Sequence, residues 1–207
     1  MEDITAQEAL GGIEVHGMSR ESFILKSTIA VGSIYGAAAI SPFVRQSFAA
    51  GGGGDIAILN FALTLEYLEA DFYKKALTLN LSSEVMAMAK EFGDQESQHV
   101  TALAGTIKKL GGTPVASPTF TFPMTDEASF LKLAQTLEDT GVGAYNGAAP
   151  AIQSKAVLAA AGSIVQIEAR HSAAIRLLNK VTPAPAAFDA SIEKAAVLKA
   201  VKPLIKA

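Results

Sequence analysis

From Asp55 onward the chain alternates long stretches in which apolar residues recur every three or four positions with short stretches rich in glycine, proline and serine. Ile58, Phe61, Ala62, Leu65, Leu68, Phe72 and Leu77 repeat at helical spacing and predict a first helix that opens at Asp55. Asn80-Leu-Ser-Ser83 interrupts it. Ser82 or Ser83 is placed to cap a second helix, which runs to about Leu110 and stops at Gly111-Gly112. The segment 113–126 carries three prolines and is excluded from regular helix. Fully extended it reaches roughly 45 Å, enough to travel the length of a bundle and let a third helix start at the far end. Thr125 or Asp126 caps that helix, expected over about 127–146. Gly147-Ala-Ala-Pro150 is the next break, and Ser154 caps a fourth helix that continues to about Asn179. Pro183 and Pro185 end it, and 189–206 reads as a short amphipathic tail helix kinked by Pro203.

The residues before Asp55 read differently. Positions 1–17 are polar with little pattern. Met18-Ser-Arg-Glu-Ser-Phe-Ile-Leu-Lys26 then leads into an apolar run from 27 to 40 and a small-residue stretch ending at Ala50. This has the layout of an export leader with a cut after Ala49, and Met18 is a natural start for it. It resembles a twin-arginine leader with one arginine missing, since Glu21 follows Arg20. The other reading is a retained helix or membrane anchor over 20–48, for which the apolar run is short. The expected organisation is therefore an extension with a leader over 1–50 and a glycine linker over 51–54. An all-α four-helix bundle follows over 55–182, made of two helical hairpins joined by a crossover, and a tail helix over 183–207 closes the chain. A cleaved leader implies a periplasmic or extracellular protein; a retained one implies envelope association.

A second pattern runs through the helices. Glu66 recurs 72 positions later as Glu138, Tyr73 as Tyr145, and Glu96-x-x-His99 as Glu168-x-x-His171. In an antiparallel hairpin, residues equidistant from the turn lie at one height. The midpoint of Glu66 and Glu96 falls in the first expected turn, and that of Glu138 and Glu168 beside the second. Each hairpin thus brings its Glu and its Glu-x-x-His to one level, and two packed hairpins gather all six residues into one layer. The i, i+3 spacing places each Glu and His on one helix face.

Composition narrows the chemistry. Hydrophobic residues make up 50% of the 207, enough for a real core, and the alanine-rich, Trp-free character suits helices. Net charge is −3 with no basic cluster, which gives nucleic-acid binding little support. There is no cysteine, hence no disulfide, thiolate metal site or iron–sulfur cluster. Buried carboxylates are costly unless paired or bound to metal. Four of them in one core carry four negative charges, which two divalent cations balance, while neutral imidazoles add donors without charge. Carboxylate and imidazole together suit iron, and carboxylate suits manganese.

This order of ligands, Glu, Glu-x-x-His, Glu, Glu-x-x-His with a crossover between halves, resembles the ferritin-like superfamily. The leader and Asn60-Phe-Ala-Leu-Thr-Leu-Glu-Tyr-Leu-Glu-Ala-Asp-Phe-Tyr73 are most similar to its secreted branch, which includes plant desiccation-related proteins. Over about 55–180 the resemblance implies Glu66, Glu96, His99, Glu138, Glu168 and His171 as ligands of two iron ions, or of two manganese ions. Glu96 and Glu168 are then the bridging pair. Tyr73 and Tyr145 stand where family members place a tyrosine near the metals, to hydrogen-bond a ligand or supply an electron; the alternative is a core role.

Glu69 has no counterpart, since Gly141 stands there; it reads as a seventh ligand, a gate for the metal, or a solvated glutamate. Asp71, matched by Gly143, reads as exposed. Ser97 stands where haem-binding relatives carry methionine, so no haem is expected; with no cysteine there is no built-in rubredoxin domain, so rubrerythrin-type electron supply needs another protein. Charged residues at 18% speak against a mineral-storing cage, leaving a smaller homo-oligomer open. The implied activities are Fe(II) oxidation or reduction of dioxygen or hydrogen peroxide, manganese catalase-like dismutation, or a structural stress or envelope role in which the metal staples the bundle.

Overall fold

The computed structural model describes residues 54–206, and the expected leader and most of the glycine linker lie outside them. Helix α1 spans Asp55–Ala76, α2 Ser83–Lys109, α3 Glu127–Ala148 and α4 Lys155–Leu178; a short α5, Lys194–Val201, follows. The starts of α2, α3 and α4 each match a local cap. Ser82 and Ser154 accept from the backbone N–H three residues on, at Val85 and Val157. Asp126 and Ser129 form a reciprocal capping box. The second helix ends at Gly111, whose φ of 80° is open to glycine. Leu77 falls outside the helix that its periodicity extended: it is the C-cap and 36% exposed.

The four long helices form two hairpins, α1–α2 and α3–α4, and the hairpins clasp one another reciprocally. Asp55, first residue of α1, accepts from the backbone of Gln153 and Ser154 at the second hairpin's turn, both at 2.8 Å. Glu127, first residue of α3, accepts from Ser82 N–H at the first hairpin's turn, at 2.6 Å. These pairs also obey the 72-residue offset. They set the start of α1 beside the end of α3 and the end of α1 beside the start of α3, so the two helices run antiparallel.

The crossover therefore has to travel the bundle's length, about 33 Å for a 22-residue helix. It is tacked down as it goes. Buried Asn60 accepts from Val115 N–H at 2.8 Å and donates to the Thr113 carbonyl at 3.2 Å. Lys75 donates to the Phe120 carbonyl at 2.8 Å. Phe120 is buried and forms an isolated antiparallel bridge with Ile205, closed by Thr121 N–H to the Leu204 carbonyl.

The tail departs from expectation. Only Lys194–Val201 is α-helical, with a 3₁₀ turn at Lys202–Leu204 around Pro203. Residues 190–192 are held out of helix by Ile192 N–H donating to the Gly143 carbonyl at 2.9 Å and Asn146 donating to the Ala190 carbonyl. A side chain on Gly143 would collide with Ile192, so the glycine standing opposite Asp71 in the repeat is where the tail docks.

Two apolar clusters fill the bundle. One gathers mainly around Phe72, Phe92, Phe130 and Leu137, the other around Leu63, Leu103, Ile107 and Val157. Polar side chains lie buried along the same helices. No helix among the described residues is long and apolar enough to cross a membrane.

Candidate metal centre

Glu66, Glu96, Glu138 and Glu168 are each wholly buried, one from each long helix. Burying four carboxylates together opposes folding unless positive charge or hydrogen bonds meet them. The two histidines meet them in part. His99 Nδ1 lies 3.2 Å from Glu66 Oε2, 3.0 Å from Glu96 Oε2 and 3.1 Å from Glu168 Oε1. His171 Nδ1 lies 2.9 Å from Glu96 Oε1 and 3.6 Å from Glu138 Oε2. Glu96 thus turns one oxygen toward each histidine, the disposition a bridging carboxylate needs. A single ring nitrogen carries at most one proton, so it cannot serve two or three oxygens at once.

The tyrosines cross between the halves. Tyr73 of α1 donates to Glu138 Oε1 of α3, and Tyr145 of α3 donates to Glu66 Oε1 of α1. Both rings are buried, so the structure gives them a core place and a hydrogen bond to a carboxylate together. α1 can approach α2 at this level because Gly93 faces Tyr73, where an added Cβ would sit 3.0 Å from the tyrosine's own.

Glu69 is 3% exposed, which rules out the solvated reading. Its carboxylate groups with those of Glu138 and Glu168. An added Cβ at Gly141 would stand 3.1 Å from Glu69 Oε1, so the missing partner in the repeat is what makes room for it. Asp71 pairs with Lys75 on the surface side of α1.

Three features of the surroundings had no advance reading. Gln95 Oε1 lies 2.6 Å from His171 Nε2, which lets the ring donate there and leaves Nδ1 facing the carboxylates. Phe92 stacks on the same ring with centroids 3.9 Å apart. Asp139, next to Glu138, receives Arg176 through two bonds at 3.1 and 2.6 Å and Ser172 at 2.6 Å, locking the rotation of α3 against α4. A Gln one position before Glu96 was the only sequence signal for the first of these; the Asp139 clasp had none short of knowing which helices adjoin.

The electrostatics follow from this packing. Burial pushes Glu66 up to about 8, against the hydrogen bond from His99. Burial, then the neighbouring carboxylates, hold Glu69 far above the usual carboxylate range, and burial together with Glu66 does the same to Glu168. Burial also raises Glu96, but the imidazoles of His171 and His99 beside it outweigh this and hold it at about 2. Burial would lower both histidines; the carboxylates reverse this, to about 12 for His99 and about 10 for His171. Protons are thus drawn in as counter-charge.

Those protons do not satisfy the site. Glu96 Oε1, Glu138 Oε2, both oxygens of Glu168 and His171 Nδ1 are buried without a hydrogen bond, since even the 2.9 Å pair between His171 and Glu96 lacks the alignment one requires. The orphaned atoms are all metal-donor types. They fall into three groups whose ligand atoms lie within 4.8 Å of one another: Glu66, Glu96, His99 and Glu168; Glu96, Glu138 and His171; Glu69, Glu138 and Glu168. A buried cluster of this composition fits cations with oxygen and nitrogen preferences, and the absence of cysteine leaves no sulfur-held cluster.

A family model described as ferritin-like domain matches residues 54–180. Seven chains of solved structure match. One of them is the conserved hypothetical protein rv2844 from Mycobacterium tuberculosis. It is 20% identical with a TM-score of 0.55, and the match covers 64% of this chain and 94% of that one, a likeness of fold. No curated protein is similar in sequence.

Proposed function

The chain belongs to the ferritin-like domain family, and from that premise we propose that it is a dinuclear metal carboxylate protein, with iron the best-suited cation, acting on dioxygen or peroxide. The observation that carries this reading is the set of orphaned buried donors between the two histidines. Glu66 and His99 would hold one cation, Glu138 and His171 the other, with Glu96 serving both and Glu168 joining it. Two iron ions held there supply paired one-electron redox changes, the chemistry of Fe(II) oxidation or of dioxygen and peroxide reduction.

The chain's own residues prepare the site for that chemistry. Tyr73 and Tyr145 each hold one carboxylate oxygen, leaving the second free to ligate. Gln95 fixes the His171 tautomer so that Nδ1 faces inward. The apolar clusters keep bulk water from the layer. No cysteine is present to carry electrons internally, so turnover draws on an external donor or on Fe(II) itself. The leader-like layout of the sequence over 18–50 and the Asn60–Tyr73 stretch are what support a place in the exported branch of the family.

Anaerobic loading with Fe(II) followed by oxygen addition tests the reading. Rapid oxygen uptake, about one O2 per two iron, is expected for a dinuclear site. Uptake no faster than that of free Fe(II) would contradict it. Peroxide dismutation by the manganese-loaded chain without a donor would favour the catalase-like reading instead.

A further inference from the structure

The third donor group shares Glu138 and Glu168 with the two positions just assigned and adds Glu69, beside which a way in from outside opens. Glu69 joins Glu138 and Glu168 in it, one carboxylate from each of α1, α3 and α4. Glu138 Oε2 and Glu168 Oε2 are buried without a hydrogen bond, so the group has lone pairs to offer. Glu168 Oε1 faces His99 at 3.1 Å, while its Oε2 would meet a Cβ at Gly141 at 3.3 Å. The same carboxylate therefore spans the first cation position and the Glu69 group. Beside Glu69 a narrow, partly open cleft runs between α1, α3 and the C-terminal helix, lined by Leu137, Thr140, Gly141 and Val201. Its free space is about that of one water molecule.

The repeat explains why this happens on one side only. The position equivalent to Glu69 in the second half is Gly141, and the glycine is what keeps the space beside the Glu69 carboxylate open. A glycine inside a helix is a local weakness, about 1 kcal/mol against alanine, so its place there calls for a steric reason. Room for a third carboxylate with a cleft behind it is such a reason.

We propose that Glu69, with Glu138 and Glu168, forms a transfer position that admits a divalent cation through the Gly141 cleft and passes it to the dinuclear site. This rests on the dinuclear reading. The cation loses water in the cleft, gains the Glu69 carboxylate, and moves on as Glu168 holds it from the opposite oxygen. No covalent or redox step is involved. The two halves are then unequal in function although their ligands are equal in kind.

The test is Co(II) uptake by the full chain, freed of metal with chelator and mixed anaerobically in a stopped-flow instrument, with cobalt absorbance as readout. Glu69→Gln removes the carboxylate oxygen that would take hold of the entering cation. Gly141→Ala narrows the cleft, and it should fold normally, because the alanine Cβ meets only the movable end of the Glu69 side chain and the Glu168 carboxylate. Both variants are expected to take up cobalt at least about tenfold more slowly, the lower end of what losing one supporting group costs at a metal site. Both should reach the parent's final stoichiometry. Parental rates in both variants would overturn the proposal. So would a Glu69→Gln chain that loads at the parental rate but ends with fewer ions, because Glu69 would then be a resident ligand. A parent chain that binds no cobalt would instead overturn the dinuclear reading, and the transfer position with it.

Discussion

Without metal, the site should make the protein less stable as pH rises from about 5 to 8, and loading metal should reverse that slope. Glu66 is held at about 8 in the folded chain, chiefly by burial, against an ordinary value of 4.5. Between those values the unfolded chain has released a proton that the folded chain keeps. Stability is therefore lost as pH rises, by about 1.4 kcal/mol per unit for this one group. Across the window that amounts to about 5 kcal/mol, comparable with the lower end of a domain's whole net stability of about 5–15 kcal/mol. The histidines act in the same direction. Their folded values are raised to about 12 and about 10 from 6.5, so their contribution is complete below 6.5 and drains away above it. Glu96 acts oppositely: held at about 2, its contribution is present above 4.5 and disappears on acidification toward 2. The metal-free optimum should therefore lie near pH 4.5, where the losses on either side meet. Divalent cations need the carboxylates ionised and the imidazoles neutral, so their binding strengthens over the range in which the metal-free chain weakens. Thermal melts of chelator-washed protein, followed by circular dichroism, should show Tm lower by about 10 °C or more at pH 8 than at pH 5.5, at 2–4 °C per kcal/mol for a chain of this size. Excess Mn(II) under anaerobic conditions should restore it at pH 8 and do little at pH 5.5. A metal-free Tm that is flat or rising to pH 8, or one indifferent to Mn(II) there, would refute the reasoning.

Other expectations concern single side chains. His99→Ala removes the group that faces three carboxylates, so metal content should fall to about one ion per chain or fewer by elemental analysis, with an earlier melt. Tyr73→Phe and Tyr145→Phe should each fold but lose about 1–3 kcal/mol in denaturant melts, since each leaves a buried carboxylate oxygen without its donor. Gln95→Leu should weaken Mn(II) binding about 10- to 100-fold by calorimetry through loss of the His171 tautomer partner, and should also lower the metal-free melt because His171 Nε2–H loses its acceptor. Asn60→Ala should cost about 1–3 kcal/mol and expose the crossover to proteolysis after 113, because Val115 N–H and the Thr113 carbonyl lose their buried partner.

The helices and the carboxylate–histidine layer were legible because they are written in local signals: apolar spacing, Ser82, Asp126 and Ser154 as caps, and an exact repeat of ligand types. Antiparallel hairpins convert sequence distance from a turn into height, so the meeting of Glu66 with Glu96 followed from arithmetic. What stayed hidden depends on which helices adjoin. The non-helical run over 190–192 is held by the Gly143 carbonyl on another helix, against an amphipathic pattern that favoured a longer helix. The burial of Glu69 is likewise set by Gly141 across the core; both glycines were visible, but what they face was not. The reciprocal clasps of Asp55 and Glu127 obey the same offset as the ligands and could have been found by extending the repeat outward.

The central claim is that this buried layer holds two metal ions. Elemental analysis of the full chain, washed with chelator, loaded anaerobically with Fe(II) or Mn(II) and desalted, tests it most directly. The account predicts about two ions per chain, retained through desalting. No bound metal after loading with either ion would contradict it and leave the layer a proton-neutralised relic inside a structural bundle.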